Sequence, residues 1–399
     1  MLGHPVRADY ASDLGHARAA LAAGDWQQAQ VAAKAAYAQA RTGDGHVQAA
    51  RLVAKTYHQA HAFGRAEFWL RRALLHASSP EIAAALTQEL AQVRDQNPLD
   101  LRLQFSVAPN GNINNGYPGD RVMIWGRPFV LSPTARALPG VEFFAAAAID
   151  YRIGRTSRSG TKISLGGYSR RYTLSPQSRK MAPAVDGADF ARSGVDLSFT
   201  HRVRFATWPG VTTSRGWIGQ SWYGGAPFTT QIGALVRQDF DVSPRTRWHL
   251  LGGAELQKIH QGSASHAKVF RLAAGVTHLN MQAARLDFSL AARLTKSPSP
   301  SLDNQYLALT GRYRLAHLPG SVNWAVLGSA GFRRFDVSPY SADGRRDRIF
   351  SVGTEAVFPG AAIFDLSPVV RLDYVLTKSD VQLFDRRSLT MRVGWRSDF

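Results

Sequence analysis

The chain has 399 residues and 48 Lys/Arg against 29 Asp/Glu, a formal charge of +19, with 45% hydrophobic residues and no cysteine. That composition excludes wholesale disorder, and the missing thiols exclude cysteine nucleophiles and thiolate metal sites while suiting export through an oxidising compartment. No apolar run reaches the roughly 18 residues that a transmembrane helix needs. Strands of a membrane barrel alternate in polarity and carry little hydropathy signal, so a mean hydropathy of −0.20 is compatible with one.

Residues 1–8 lack a seven-residue apolar core and read as the remnant of a leader region. From 9 to 98 the sequence is alanine-rich and shows no alternation. Its breaks, Gly24-Asp25, Thr42-Gly43-Asp44-Gly45, Ser78-Ser79-Pro80 and Asn97-Pro98, delimit about five helices, with Ser79 placed to cap one that opens on Pro80. Two stretches are self-similar. Trp26, Ala29 and Ala36 recur as Phe63, Ala66 and Ala73, an offset of 37 residues. An aromatic that opens a helix, with small residues three and ten positions on, is similar to the second helix of a tetratricopeptide repeat. The small residues would let paired helices approach, and the aromatic would fill the gap to the next repeat. The offset exceeds the usual ~34 residues, so the repeats are degenerate.

Period-two alternation begins near residue 100 and recurs in about fourteen segments. Val195, Leu197, Phe199 and Val203 alternate with Asp196, Ser198, Thr200, Arg202 and Arg204; Leu286, Phe288, Leu290 and Leu294 alternate with Asp287, Ser289 and Arg293. The final segment puts Leu389, Met391, Val393, Trp395 and Phe399 on one face and Thr390, Arg392 and Arg396 on the other. A closing aromatic at the apolar phase suits recognition by barrel-assembly machinery, with Val393, Trp395 and Phe399 as the signal. Gaps between segments are mostly long on one side and turn-like on the other, as in an outer-membrane barrel.

Directly after the first strand comes Pro109-Asn110-Gly111-Asn112-Ile113-Asn114-Asn115-Gly116. Asparagine and glycine tolerate left-handed backbone, so these residues read either as a well-made turn opening a long loop or as a loop fixed into the barrel mouth. The residues alone leave both open.

Residues 1–99 carry ten Lys/Arg against eight Asp/Glu, leaving 38 against 21 for the remainder. Nucleic-acid binders gather such a surplus on one patch. Here the arginines sit singly between apolar residues, so Arg202, Arg204, Arg371 and Arg392 read as a basic lumen face, and loop charges would meet lipopolysaccharide phosphates. No nucleic-acid partner, cofactor or metal is expected. No catalytic motif is present: Gly219-Gln-Ser221-Trp-Tyr-Gly224 misses the nucleophile-elbow spacing, and the histidines are dispersed. The chain reads as a non-enzyme.

A short helical-repeat domain running straight into a barrel, with residues 109–115 at the junction and Phe399 at the end, resembles the surface lipoprotein assembly modulator (Slam) family of Gram-negative outer-membrane proteins. The resemblance implies a multidomain α plus all-β protein: tetratricopeptide-like repeats over 9–98 in the periplasm, then an approximately fourteen-stranded antiparallel transmembrane β-barrel over 99–399. It also implies translocation of client proteins, surface lipoproteins or secreted haem-binding-type proteins, across the outer membrane, with a periplasmic chaperone as a further partner. Asn110, Asn112, Asn114 and Asn115 become candidates for a plug or client contact. A repeat-plus-barrel polysaccharide-export porin is the alternative; about ninety residues of helix are short for its scaffold.

Overall fold

The computed structural model describes residues 9–397 apart from 206–209, 262–264, 282–283, 316–321 and 364. The proposed leader remnant and Phe399 lie outside the described residues. The chain divides into two compact units, with the boundary between Asp100 and Leu101.

The first unit holds five helices: α1 (Tyr10–Ala22), α2 (Trp26–Gln39), α3 (Gly43–Gln59), α4 (Phe63–Leu74) and α5 (Pro80–Gln96). Each polar break caps a helix. The side chains of Asp9, Asp25, Thr42 and Ser79 accept from the backbone three residues on, including Ile82 N–H at 3.4 Å from Ser79 Oγ. Consecutive helices pack on one another in series. Ala29, Ala36, Ala66 and Ala73 are all fully buried, the last three in a common core with Val53, Leu70 and Leu86. Phe63 is half-buried, edge-on to His58 and His61, while Trp26 stands at the surface.

The second unit is a closed barrel of fourteen antiparallel strands. They are β1 (Leu99–Asn110), β4 (Gly140–Arg155), β5 (Ser159–Leu174), β6 (Arg192–Val203), β7 (Val211–Tyr223), β8 (Ala226–Ser243), β9 (Thr246–Ile259), β10 (Ser265–Leu279), β11 (Arg285–Lys296), β12 (Asn304–Arg314), β13 (Asn323–Phe335), β14 (Arg345–Val357), β15 (Leu366–Ser379) and β16 (Arg386–Ser397). A separate hairpin, β2 (Arg121–Ile124) and β3 (Arg127–Val130), lies in the first long loop, and a short helix, α6 (Pro176–Met181), in the second. Neither was expected from alternation.

Closure brings β1 beside β16, with Phe105 opposite Trp395 and Val107 opposite Val393. Ser397 stitches this seam: its hydroxyl accepts from Leu103 N–H at 2.6 Å and donates to Leu103 O at 3.0 Å. Registered pairs share a face, so the alternation can be followed around the barrel. Val195, Leu197, Ile232, Val236, Leu250, Phe270, Leu272, Leu309, Val352, Met391, Val393 and Trp395 all point outward and are each 44–67% exposed. In water such a continuous apolar belt would drive association. A closed barrel with no strand edge and an apolar exterior is instead one of the two forms that can span a bilayer. The barrel is of the outer-membrane type.

The loop-length rule holds less widely than expected. At the end where β1 finishes, hereafter the loop end, only 111–139 and 175–191 are long; the β7–β8 link is short as expected, Gly224-Gly225 alone, but 260–264 and 380–385 are short as well. At the opposite, turn end, 204–210, 315–322 and 358–365 are of similar size. The difference arises because β5, β8 and β10 run several residues further than their alternating cores and consume sequence read as loop.

Candidate functional site: the asparagine clamp and the charged lumen

The asparagine stretch forms a clamp at the loop end. Asn110 Oδ1 accepts from Asn112 N–H at 2.9 Å, which starts the turn. Asn112 is buried and bonds Gly116 both ways: Nδ2 donates to Gly116 O and Oδ1 accepts from Gly116 N–H, each at 2.8 Å. Asn114 reaches across the loop. Its Nδ2 donates to Thr134 O and Arg136 O at 2.9 and 2.7 Å, and its Oδ1 accepts from Leu138 N–H at 2.9 Å. Asn115 is exposed and takes the left-handed conformation, φ 56°. Gly116 is needed for contact, since a Cβ there would lie 2.3 Å from Arg136 O. The clamp thus ties the two ends of loop 111–139 together. Beneath it Ile113 and Leu138 join Leu174 and Ala182, so both long loops share one apolar core. Hairpin β2–β3 extends from this loop towards the β15–β16 connection, where Gln382 Oε1 accepts from Met123 N–H at 2.9 Å.

Below the clamp the inward phase of the strands is densely charged, and most of its carboxylates are paired. Glu355 on β14 meets Arg312 (2.9 Å), Arg371 (3.5 Å) and Arg396 (3.5 Å). Asp373 meets Arg371 at 2.7 Å and Arg392 at 3.8 Å. Arg392 also reaches Glu142 on β4 at 3.3 Å, passing over β1, which lies between β16 and β4. The register of β1 on β16 puts Ala108 opposite Arg392, and that side chain is buried and small enough to leave the path open. On the same wall Asp150 binds Arg102 at 3.0 Å and Lys162 at 2.5 Å. Beside it, Ala146, Ala148, Gly166 and Gly167 help to leave a cavity of about 620 Å³.

The four arginines expected in the lumen therefore divide. Arg371 and Arg392 belong to this paired network. Arg202 and Arg204 lie at the turn end, where they line a basic recess of about 540 Å³ with Arg155 and Arg158; Arg204 also meets Asp241 at 3.7 Å. Val393 and Trp395 face outward beside β1. Reading the strands for apolar alternation missed the carboxylates Glu142, Asp150 and Glu355. Their signal was present, since each sits at the inward phase of an otherwise apolar strand.

In the helical unit, Tyr37, His46, Trp69, Arg72 and His76 form one aromatic and basic group. The two imidazoles stack at 4.5 Å, Trp69 meets Tyr37 edge-on at 5.0 Å, and the Arg72 guanidinium lies 4.9 Å over Tyr37. Burial, His46 and Arg72 together lower the pKa of His76 from its ordinary value. Among the described residues no cluster of His, Asp and Glu has the makings of a metal site.

No protein-family model matches the chain, and no curated protein matches it either. Solved structures similar to the barrel include the outer membrane protein OprD from Pseudomonas aeruginosa, 11% identical over 75% of this chain and 93% of that one, TM-score 0.36. OccAB3 of Acinetobacter baumannii is 7% identical over 75% and 99%, TM-score 0.37. OccK9 of Pseudomonas aeruginosa is 9% identical over 75% and 98%, TM-score 0.41. At these scores the assignment of the barrel rests on its own strands.

Proposed function

We propose that the protein is a non-enzymatic outer-membrane conduit that delivers client proteins, surface lipoproteins or secreted haem-binding-type proteins, to the cell surface. In this reading residues 9–98 are tetratricopeptide-like repeats in the periplasm that receive the client or its chaperone, and residues 99–399 are the pore. The observation that carries it is the clamp: the residues that resemble the Slam family follow the far end of β1 from the helical unit, where Asn112 and Asn114 cross-brace the loop at the barrel mouth that a passing client would meet. Two features support it. The helical unit enters β1 with only two residues between α5 and the first strand, and the arginines of the turn-end recess would face an acidic incoming segment. Loop-end arginines such as Arg121, Arg127 and Arg136 suit the phosphates of lipopolysaccharide.

The test is display of a co-expressed neighbouring lipoprotein on intact cells. Replacing Asn112, Asn114 and Asn115 by Ala should lower display while the amount of folded barrel stays the same. Normal display by that variant would remove the clamp from the pathway. The second reading, a polysaccharide-export porin, is favoured by the open cavity that Arg102, Lys162, Asp196, Arg215 and Arg396 line. It predicts loss of surface polymer, with lipoprotein display intact, when the gene is deleted.

A further inference from the structure

The loop-end half of the lumen contains arginines that make no ion pair among the described residues. Arg293 on β11, Tyr306 on β12 and Arg333 on β13 lie in one registered row across the inner wall. Tyr306 is held flat against β13, where Gly331 leaves room: a Cβ at that position would lie 2.8 Å from the Tyr306 hydroxyl. The two guanidiniums then lie 5.4 and 5.3 Å from its ring centre. Both Arg293 Nε and Arg333 Nε are buried without a hydrogen-bond partner. Arg386 opens β16 one row away and is within electrostatic reach of Asp347 first, then of Arg333, and of Arg192 on β6 through the lumen. Two carboxylates lie close: Asp347, opposite Arg333 in the register of β13 on β14, pairs with Arg345 at 3.2 Å, and Glu255 pairs with Arg271 at 3.2 Å. Among the described residues none of these four arginines has an ion pair.

Buried donors of this kind are nearly always satisfied in folded proteins. Arginine in particular offers a planar fork that matches the oxygens of phosphate and carboxylate. The contrast with the rest of the lumen is informative: Glu355 and Asp373 there are shared among arginines that they pair, whereas here the inward acid of the row, Asp347, pairs with Arg345 and leaves Arg293, Arg333 and Arg386 without an ion pair. We infer that this row is a binding site for a multivalent oxyanion, a solute or chain segment carrying several phosphate or carboxylate groups, which enters the loop-end lumen and bridges Arg293, Arg333 and Arg386. Tyr306 keeps the first two guanidiniums apart and oriented. The inference needs only the closed barrel and holds whether or not the conduit carries proteins.

The test is calorimetric titration of the full-length protein in detergent with sodium tripolyphosphate and, separately, with citrate. Saturable binding of either, weakening as sodium chloride is raised, is the expected result. The variant R293Q/R333Q should bind at least about tenfold more weakly, because each lost charge-assisted contact accounts for about a decade. The variant R247Q/R285Q, which changes arginines paired with Asp241 and Asp287 at the turn end, should bind as the parent does. Heat-modifiable migration confirms that each variant is a folded barrel. Should R293Q/R333Q not assemble, R386Q, whose side chain is exposed, reports on the same site through a smaller loss. Absence of saturable binding by both anions, or equal affinity in the parent and every row variant that assembles, overturns the inference.

Discussion

Asn112 and Gly116 satisfy each other's polar groups in a buried turn. Asn112→Ala therefore leaves the buried Gly116 carbonyl without its partner, at a cost of about 1–3 kcal/mol, while the Gly116 N–H keeps only the longer bond to Asn114 Oδ1 at 3.3 Å. Amide exchange across 112–117 should accelerate accordingly. Asn114→Ala should loosen 134–138 instead, because its partners lie there. Asn115→Gly should be tolerated, since glycine accepts a φ of 56° more readily than asparagine does. Nothing within residues 109–116 announced this division. The turn chemistry was legible, but the partners of Asn114 lie more than twenty residues on, and only the folded loop brings them together. His76 carries the clearest pH dependence outside the membrane. Its folded pKa is lowered by burial, then by His46 and Arg72. The folded state thus binds its proton less readily than the unfolded state does, and the stability of the helical unit is fully present above the ordinary histidine pKa of about 6.5. As pH falls below that value stability is lost, down to the lowered folded pKa. Protection of α2–α4 in exchange experiments should be weaker at pH 5 than at pH 7.5, and His76→Gln should flatten the difference.

At the scale of elements, strands were legible because a face towards lipid and a face towards the lumen demand opposite chemistries at every second residue. The final segment shows this well: Leu389, Met391, Val393 and Trp395 are all outward. Hairpin β2–β3 escaped because each of its strands spans only Arg121–Ile124 or Arg127–Val130, too short for a period of two to register. Its turn, Trp125-Gly126 with φ 53° and 73°, is set by local geometry rather than by alternation. Leu272 on β10, 67% exposed on the outer face, offers a direct check on the belt. Leu272→Arg should destabilise the barrel by about 2–4 kcal/mol in a bilayer if the residue lies near mid-depth, read as a lower denaturant midpoint in liposomes. Ala273, its neighbour on the inward phase, should accept a polar side chain with a smaller effect. In the helical unit Ala66 is fully buried, so Ala66→Leu must push α4 from its neighbours and should cost about 1–3 kcal/mol.

The whole molecule joins a helical unit to a closed barrel, and that division was readable from the abrupt change of periodicity near residue 100. The pairing of the lumen charges was not, since ion pairs such as Arg392–Glu142 join positions 250 residues apart. The intact protein should fractionate with the outer membrane and migrate faster unboiled than boiled; recovery in the soluble fraction would contradict the apolar belt. Arg392→Leu should lower the temperature at which that compact form is lost, because Glu142 is left buried in the lumen wall without one of its two cations. The Arg392–Glu142 pair also says something about time. Strand β4 exists early in synthesis and β16 is made last, so this contact has nearly the greatest sequence separation the barrel allows, and contacts of that kind form late in folding. The bridge over Ala108 can close only after the final strand has found β1. A chain stalled one strand short would keep Glu142 without Arg392, which makes this bond a chemical mark of completed assembly.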